Sequence, residues 1–122
     1  MYDYKAKYVN NYDGDTVTFM VDLGFDTWKK VIVRIKGINT NELRRTKNTS
    51  DESIQKAYEA KEFVQNKLSK SSYCILRTEK DKMETEKYGR YLADILYLDS
   101  ENKFASLKES LLESKLAVEY NC

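Results

Sequence analysis

The chain has 122 residues with 41% apolar and 34% charged content and a net charge of +1. That is enough for one domain with one modest core, and too little charge for a non-specific polyanion coat. There is no histidine and there are only two cysteines, Cys74 and Cys122, which excludes His-based catalysis and a zinc site and leaves both thiols expected free.

The N-terminal stretch alternates. Tyr2, Tyr4, Ala6 and Tyr8 interleave with Asp3, Lys5, Lys7 and Val9, which predicts a strand and makes the tyrosines barrel wall. An Asp-Gly turn follows. Val17, Phe19 and Val21 predict a second strand, "DLGFDTW" a turn, and Val31, Val33 and Ile35 a third strand. Arg34 falls on the polar face of that third strand. From Gly37 to Ser50 the period is lost, and a long loop is expected. Residues 29–50 hold seven Lys or Arg and one acid, Glu42. Such a cluster is most often a solvated loop, but Lys29, Lys30, Arg44, Arg45 and Lys47 can also steer a polyanion.

Ser50 or Asp51 caps a helix over 52–69, with Ile54, Ala57, Tyr58, Ala60, Phe63, Val64 and Leu68 forming its apolar stripe. "SYCILRT" predicts a fourth strand, 79–90 a polar loop, and "YLADILYL" a fifth strand. Leu107, Leu111 and Leu112 mark a second helix over about 104–115. Five short strands with a helix between the third and fourth predict an α+β, mainly β fold: a five-stranded Greek-key barrel of the OB type with a second, C-terminal helix. One domain over 1–122 is expected. No apolar window is long enough to span a membrane. The start lacks a basic-then-apolar leader, so a cytoplasmic location is expected unless a leader was removed.

"YDGDTV" at 12–17 places two acids around a turn glycine. Alone this is an ordinary hairpin turn. Its company changes the reading. "RIKGINTNE" closes the third strand and "KYGR" at 87–90 precedes the fifth. Convergence of the three at one rim gathers oxygen ligands near two guanidiniums: Asp15, Thr40 and Glu42, with Asn39 as a further candidate, facing Arg34 and Arg90. Hard oxygens suit Ca²⁺ or Mg²⁺, and planar guanidiniums grip phosphate. These are parts for phosphodiester hydrolysis without histidine.

With "DGDT" at 13–16, "VRIKGINTNE" at 33–42, "EA" at 59–60 and "KYGR" at 87–90, the chain resembles the staphylococcal nuclease (thermonuclease) family over roughly residues 8–118. The resemblance implies a Ca²⁺-dependent nuclease, acting on DNA, RNA or both and leaving 3′-phosphate products. It implies metal ligation by Asp15, Asn39 and Thr40, supported by Asp13. It makes Arg34, Glu42 and Arg90 catalytic, and Lys87, Tyr88 and Tyr120 substrate-binding. It further implies DNA or RNA as partner; no membrane association and a monomer are expected. Three departures stand out. Asn39 replaces a carboxylate ligand, which predicts weaker Ca²⁺ binding. Asn41 replaces a proline and frees a backbone restraint. The chain ends just after the second helix, where many relatives add a third. The alternative reading is a catalytically weak or inactive module that binds nucleic acid or protein, with Asn39 as its chief support.

Overall fold

A computed structural model describes residues 2–40, 51–78, 84–85 and 91–119. The elements in chain order are β1 (Tyr2–Asn11), β2 (Thr16–Asp22), β3 (Trp28–Ile35), β4 (Ile38–Thr40), α1 (Asp51–Ser69), β5 (Cys74–Thr78), β6 (Glu84–Thr85), β7 (Tyr91–Leu98), β8 (Phe104–Ser106), α2 (Leu107–Glu113) and β9 (Ala117–Glu119).

The sheet runs β3-β2-β1-β5-β7, and β3 pairs with β7 to close the circuit. All of these pairings are antiparallel except β3–β7, which is parallel, with Val33 opposite Tyr91 and Arg34 opposite Leu92. This is the expected five-strand barrel, with α1 between its third and fourth strands. Closure pairs β3 with β7, the two strands that would otherwise be the edges of this order. The alternating residues explain the wall. Val17, Phe19, Val21, Val33, Ile35, Leu76 and Ile95 point inward and are at most 2% exposed. Val64 and Leu68 of α1 and Leu107 and Leu111 of α2 join the same core.

Several boundaries differ from the sequence reading. The third strand begins at Trp28 because Trp28–Lys30 pair with Met20–Asp22. Ile38–Thr40 is not loop: it pairs with Ala117–Glu119 as a separate two-stranded ribbon. Phe104–Ser106 pairs with β7 instead of opening the second helix. That helix starts after Ser106, whose hydroxyl accepts from the Glu109 N–H at 3.3 Å, as an N-cap does. Tyr58 lies outside the buried stripe of α1 and is half exposed. Tyr4 and Tyr8 pack against the core, whereas Tyr2 is 46% exposed. Cys74 is a buried free thiol whose pKa burial raises to about 11; Cys122 lies outside the described residues. Among the described residues no helix is long and apolar enough to cross a membrane.

Candidate metal and phosphate site

The β1–β2 turn is built by its acids. Asp13 Oδ1 accepts from the backbone N–H groups of Asp15 at 3.1 Å and Thr16 at 2.9 Å. A side chain doing this mimics one turn of backbone and fixes the bend. Asn11 buttresses it from below, donating from Nδ2 to the carbonyls of Asp13 and Lys61, both at 3.0 Å. Tyr8 donates its hydroxyl to Asn11 Oδ1. From the sequence Tyr8 was expected only as barrel wall, and Asn11 was not singled out. The only signal was an Asn one residue before the "YDGD" stretch.

With its amide held, Asp15 turns its carboxylate toward the barrel rim, where it is buried. The Asp15 carbonyl accepts from Ile35 N at 2.9 Å, so the turn is stitched to the end of β3. Asp15 Oδ2 accepts from Thr40 N at 3.3 Å and lies 3.8 Å from Arg34 Nη2. Thr16 Oγ1 lies 3.4 Å from Asp15 Oδ1. Desolvation pushes the Asp15 pKa up to about 7. The neighbouring Asp13 adds to the rise, while the Thr40 N–H and Arg34 oppose it.

Arg34 is buried, not exposed as its outward strand parity suggests. Its Nη2 donates to the Ile38 carbonyl and to Asn39 Oδ1, both at 3.1 Å. β4 therefore folds over the guanidinium, and β9 pairs with β4 from the other side, Asn39 opposite Val118 and Thr40 opposite Ala117. Thr40 Oγ1 is buried with no hydrogen-bond partner among the described residues.

Of the site predicted from sequence, Asp13, Asp15, Arg34, Asn39 and Thr40 come together at one rim, from the β1–β2 turn, β3 and β4. Glu42, Lys87, Tyr88, Arg90 and Tyr120 lie outside the described residues. The donor chemistry suits a hard cation: one carboxylate, one amide oxygen and one orphaned hydroxyl. Among the described residues no group of three or more His, Cys, Asp or Glu is placed to hold a metal. Among the described donors, Asn39 offers an amide oxygen and no negative charge.

The fold is an OB-type barrel with a buried acid beside a buried guanidinium at its rim. The chain belongs to the staphylococcal nuclease homologue family, whose model matches residues 32–122. It is also similar to the uncharacterized protein MJ1439 of Methanocaldococcus jannaschii, with 29% identity over 90% of this chain. The match covers 56% of that relative, so the chain spans just over half of its length.

Proposed function

We propose that the chain is a Ca²⁺-dependent nuclease that hydrolyses phosphodiester bonds of DNA or RNA. The carrying observation is the buried Asp15 carboxylate 3.8 Å from the Arg34 guanidinium, with Asn39 and Thr40 at the same rim. Asp15, Asn39 and Thr40 would hold the ion, with Asp13 fixing the turn that presents Asp15. Once bound, the cation supplies polarisation of the phosphate.

The remaining roles belong to side chains. Arg34 grips the non-bridging oxygens of the scissile phosphate, where its planar fork matches two acceptors. It is already fixed by Ile38 and Asn39, so little rotamer freedom is lost at that step. Glu42 takes the proton from the attacking water, and Arg90 stabilises the phosphate and the departing 5′ oxygen. Lys87 and Tyr88 bind a terminal phosphate, Tyr120 packs by a base, and the products carry 3′ phosphates.

The test is incubation of purified protein with single-stranded and duplex substrates, with Ca²⁺ and with chelator. Cleavage that needs the ion and falls by about 10²–10³ in Arg34→Ala supports the reading. Absence of cleavage across several divalent ions and pH values overturns it. Retained nucleic-acid binding without cleavage would then identify a binding module.

A further inference from the structure

The tip of the β2–β3 hairpin stands far from the candidate site. Thr16 and Arg34 pair at the site end, and Asp22 and Trp28 pair at the other. The two pairs are about 20 Å apart at ~3.3 Å per residue. Beyond Asp22 the chain turns back on itself. Leu23 N donates to the Thr27 carbonyl at 2.8 Å, and Thr27 N to the Gly24 carbonyl at 2.9 Å. The two central residues, Phe25 and Asp26, have φ of 53° and 58°. This is the left-handed region, which hairpin turns normally fill with Asn, Asp or Gly. A phenylalanine there gains nothing locally, because its side chain is fully exposed. Among the described residues no other large apolar side chain is so open to solvent, and Leu23 and Trp28 of the same tip are exposed as well. Backbone strain and an apolar cluster at one place point to a contact made outside the chain.

Ammonium groups ring the stem beneath this apex. Lys30 lies opposite Met20, and Met20 opposite Lys7. Lys7 and Lys30 therefore share the outward face, where Lys7 Nζ sits 5.3 Å from the Trp28 ring centroid. Lys29 has the parity of the inward Val31 and leaves from the other face, with its Nζ 5.7 Å from the Tyr91 ring centroid. All three lysines are exposed. Two acids belong to the tip. Asp22 Oδ1 accepts from the Gly24 N–H at 2.8 Å. Asp26 is exposed at the apex and opposes an anionic partner. From Lys29 to Asp26 the hairpin rises about 10 Å at ~3.3 Å per residue. Segments that lie in a membrane interface bury their apolar side by about 5–10 Å. A ring seated at the acyl boundary thus leaves the lysines level with lipid phosphates. A planar anionic surface meets lysines on both faces of the stem at once, whereas a protein partner would have to grip the hairpin from two sides.

We propose that the β2–β3 tip, Leu23 to Trp28, is an interfacial anchor for an anionic lipid surface. Phe25 and Leu23 enter the boundary between headgroups and acyl chains, Trp28 lies among the headgroups, and Lys7, Lys29 and Lys30 meet their phosphates. The expectation of no membrane association rests on the lack of a spanning segment, which an interfacial tip does not need. The anchor is independent of the nuclease reading, since the tip and Arg34 lie at opposite ends of β3.

The protein is mixed, in chelator, with vesicles of phosphatidylglycerol and phosphatidylcholine, and with vesicles of phosphatidylcholine alone. Trp28 is the chain's single tryptophan, so tryptophan emission reports the tip. Flotation with the anionic vesicles is expected, with a blue shift of emission that brominated lipid quenches. Phe25→Asn places at the apex a residue suited to positive φ. It should keep or raise the melting temperature yet weaken vesicle binding about tenfold or more. Loss of binding in this variant cannot then come from misfolding. Lys30→Gln should weaken binding to the anionic vesicles about fivefold, and Asp26→Asn should tighten it. No flotation, an unshifted emission, or unchanged binding in Phe25→Asn overturns the anchor. So does a dimer, seen by sedimentation without vesicles, that Phe25→Asn abolishes; the tip would then meet a second copy of the chain.

Discussion

Asp15 is the residue with the most at stake electrostatically. Burial raises its pKa from 3.8 to about 7, against the pull of Arg34 and the Thr40 N–H. Between about pH 4 and pH 7 the folded chain therefore holds a proton that the unfolded chain has lost. Stability conferred by that proton is present at low pH and declines as pH rises through this window. A shift of this size corresponds to at most roughly 4 kcal/mol. Asp15→Asn keeps an oxygen for the Thr40 N–H but removes the ionisation. In chelator, the wild type should lose stability from about pH 4 to pH 7, and Asp15→Asn should escape that share of the loss. At the upper pH the variant should be the more stable protein. Urea melts at three pH values test this; parallel profiles for the two proteins would show that Asp15 ionises without cost.

The turn that carries Asp15 is pressed against two other elements. A Cβ on Gly14 would lie 2.8 Å from Ala60 Cβ of α1 and 2.9 Å from Thr40 Cγ2 of β4. Gly14 is needed for this close approach, since its φ is not in the positive range where the backbone itself demands glycine. Gly14→Ala should therefore cost about 1–3 kcal/mol by overpacking, and should move Thr40 off Asp15. A denaturation midpoint equal to wild type would rule out the wedge. This contact also marks the limit of what the sequence reveals about elements. Strands β1 to β3 and helix α1 were legible because long periodic runs declare their buried side. The β4–β9 ribbon was not, because it joins three-residue pieces from Ile38–Thr40 and Ala117–Glu119 whose partners are distant in the chain. The same gap explains Arg34: strand parity places it outward, and only the fold of β4 across it makes it buried. Phe104 to Ser106 read as helix because the leucine spacing that follows carries no mark of where the cap falls. Asp13 and Asp15 were legible through their flanking glycine and through the motifs around them, whereas Asn11, which props their turn, has no periodic or motif signature.

At the scale of the molecule, barrel closure through β3 and β7 and the β4–β9 ribbon bring residues from Asp13 to Val118 to one rim. An ion that binds only this assembled rim must stabilise the whole fold, by RT ln(1 + [ion]/Kd), or about 2.7 kcal/mol at a hundredfold excess over Kd. Ca²⁺ should therefore raise the melting temperature in a concentration-dependent way, while the unfolded chain, with Asp15 and Asn39 far apart, gains nothing. Asn39→Asp tests whether Asn39 belongs to the ion's shell. Its side-chain oxygen now accepts from Arg34 Nη2 at 3.1 Å. A carboxylate there has two consequences of different origin. It strengthens the pairing with Arg34, which raises stability even in chelator. It also adds an anionic ligand, which tightens Ca²⁺ by about tenfold, or 1.4 kcal/mol. The two are separated by melting both proteins across a Ca²⁺ series. The Arg34 effect is a constant offset, present without the ion. The ligand effect shifts the Ca²⁺ concentration at which the melting temperature begins to climb, and calorimetry must report the same shift in Kd. An offset with no change in Kd places Asn39 with Arg34 alone, and the ion would then depend on Asp15 and Thr40 without it.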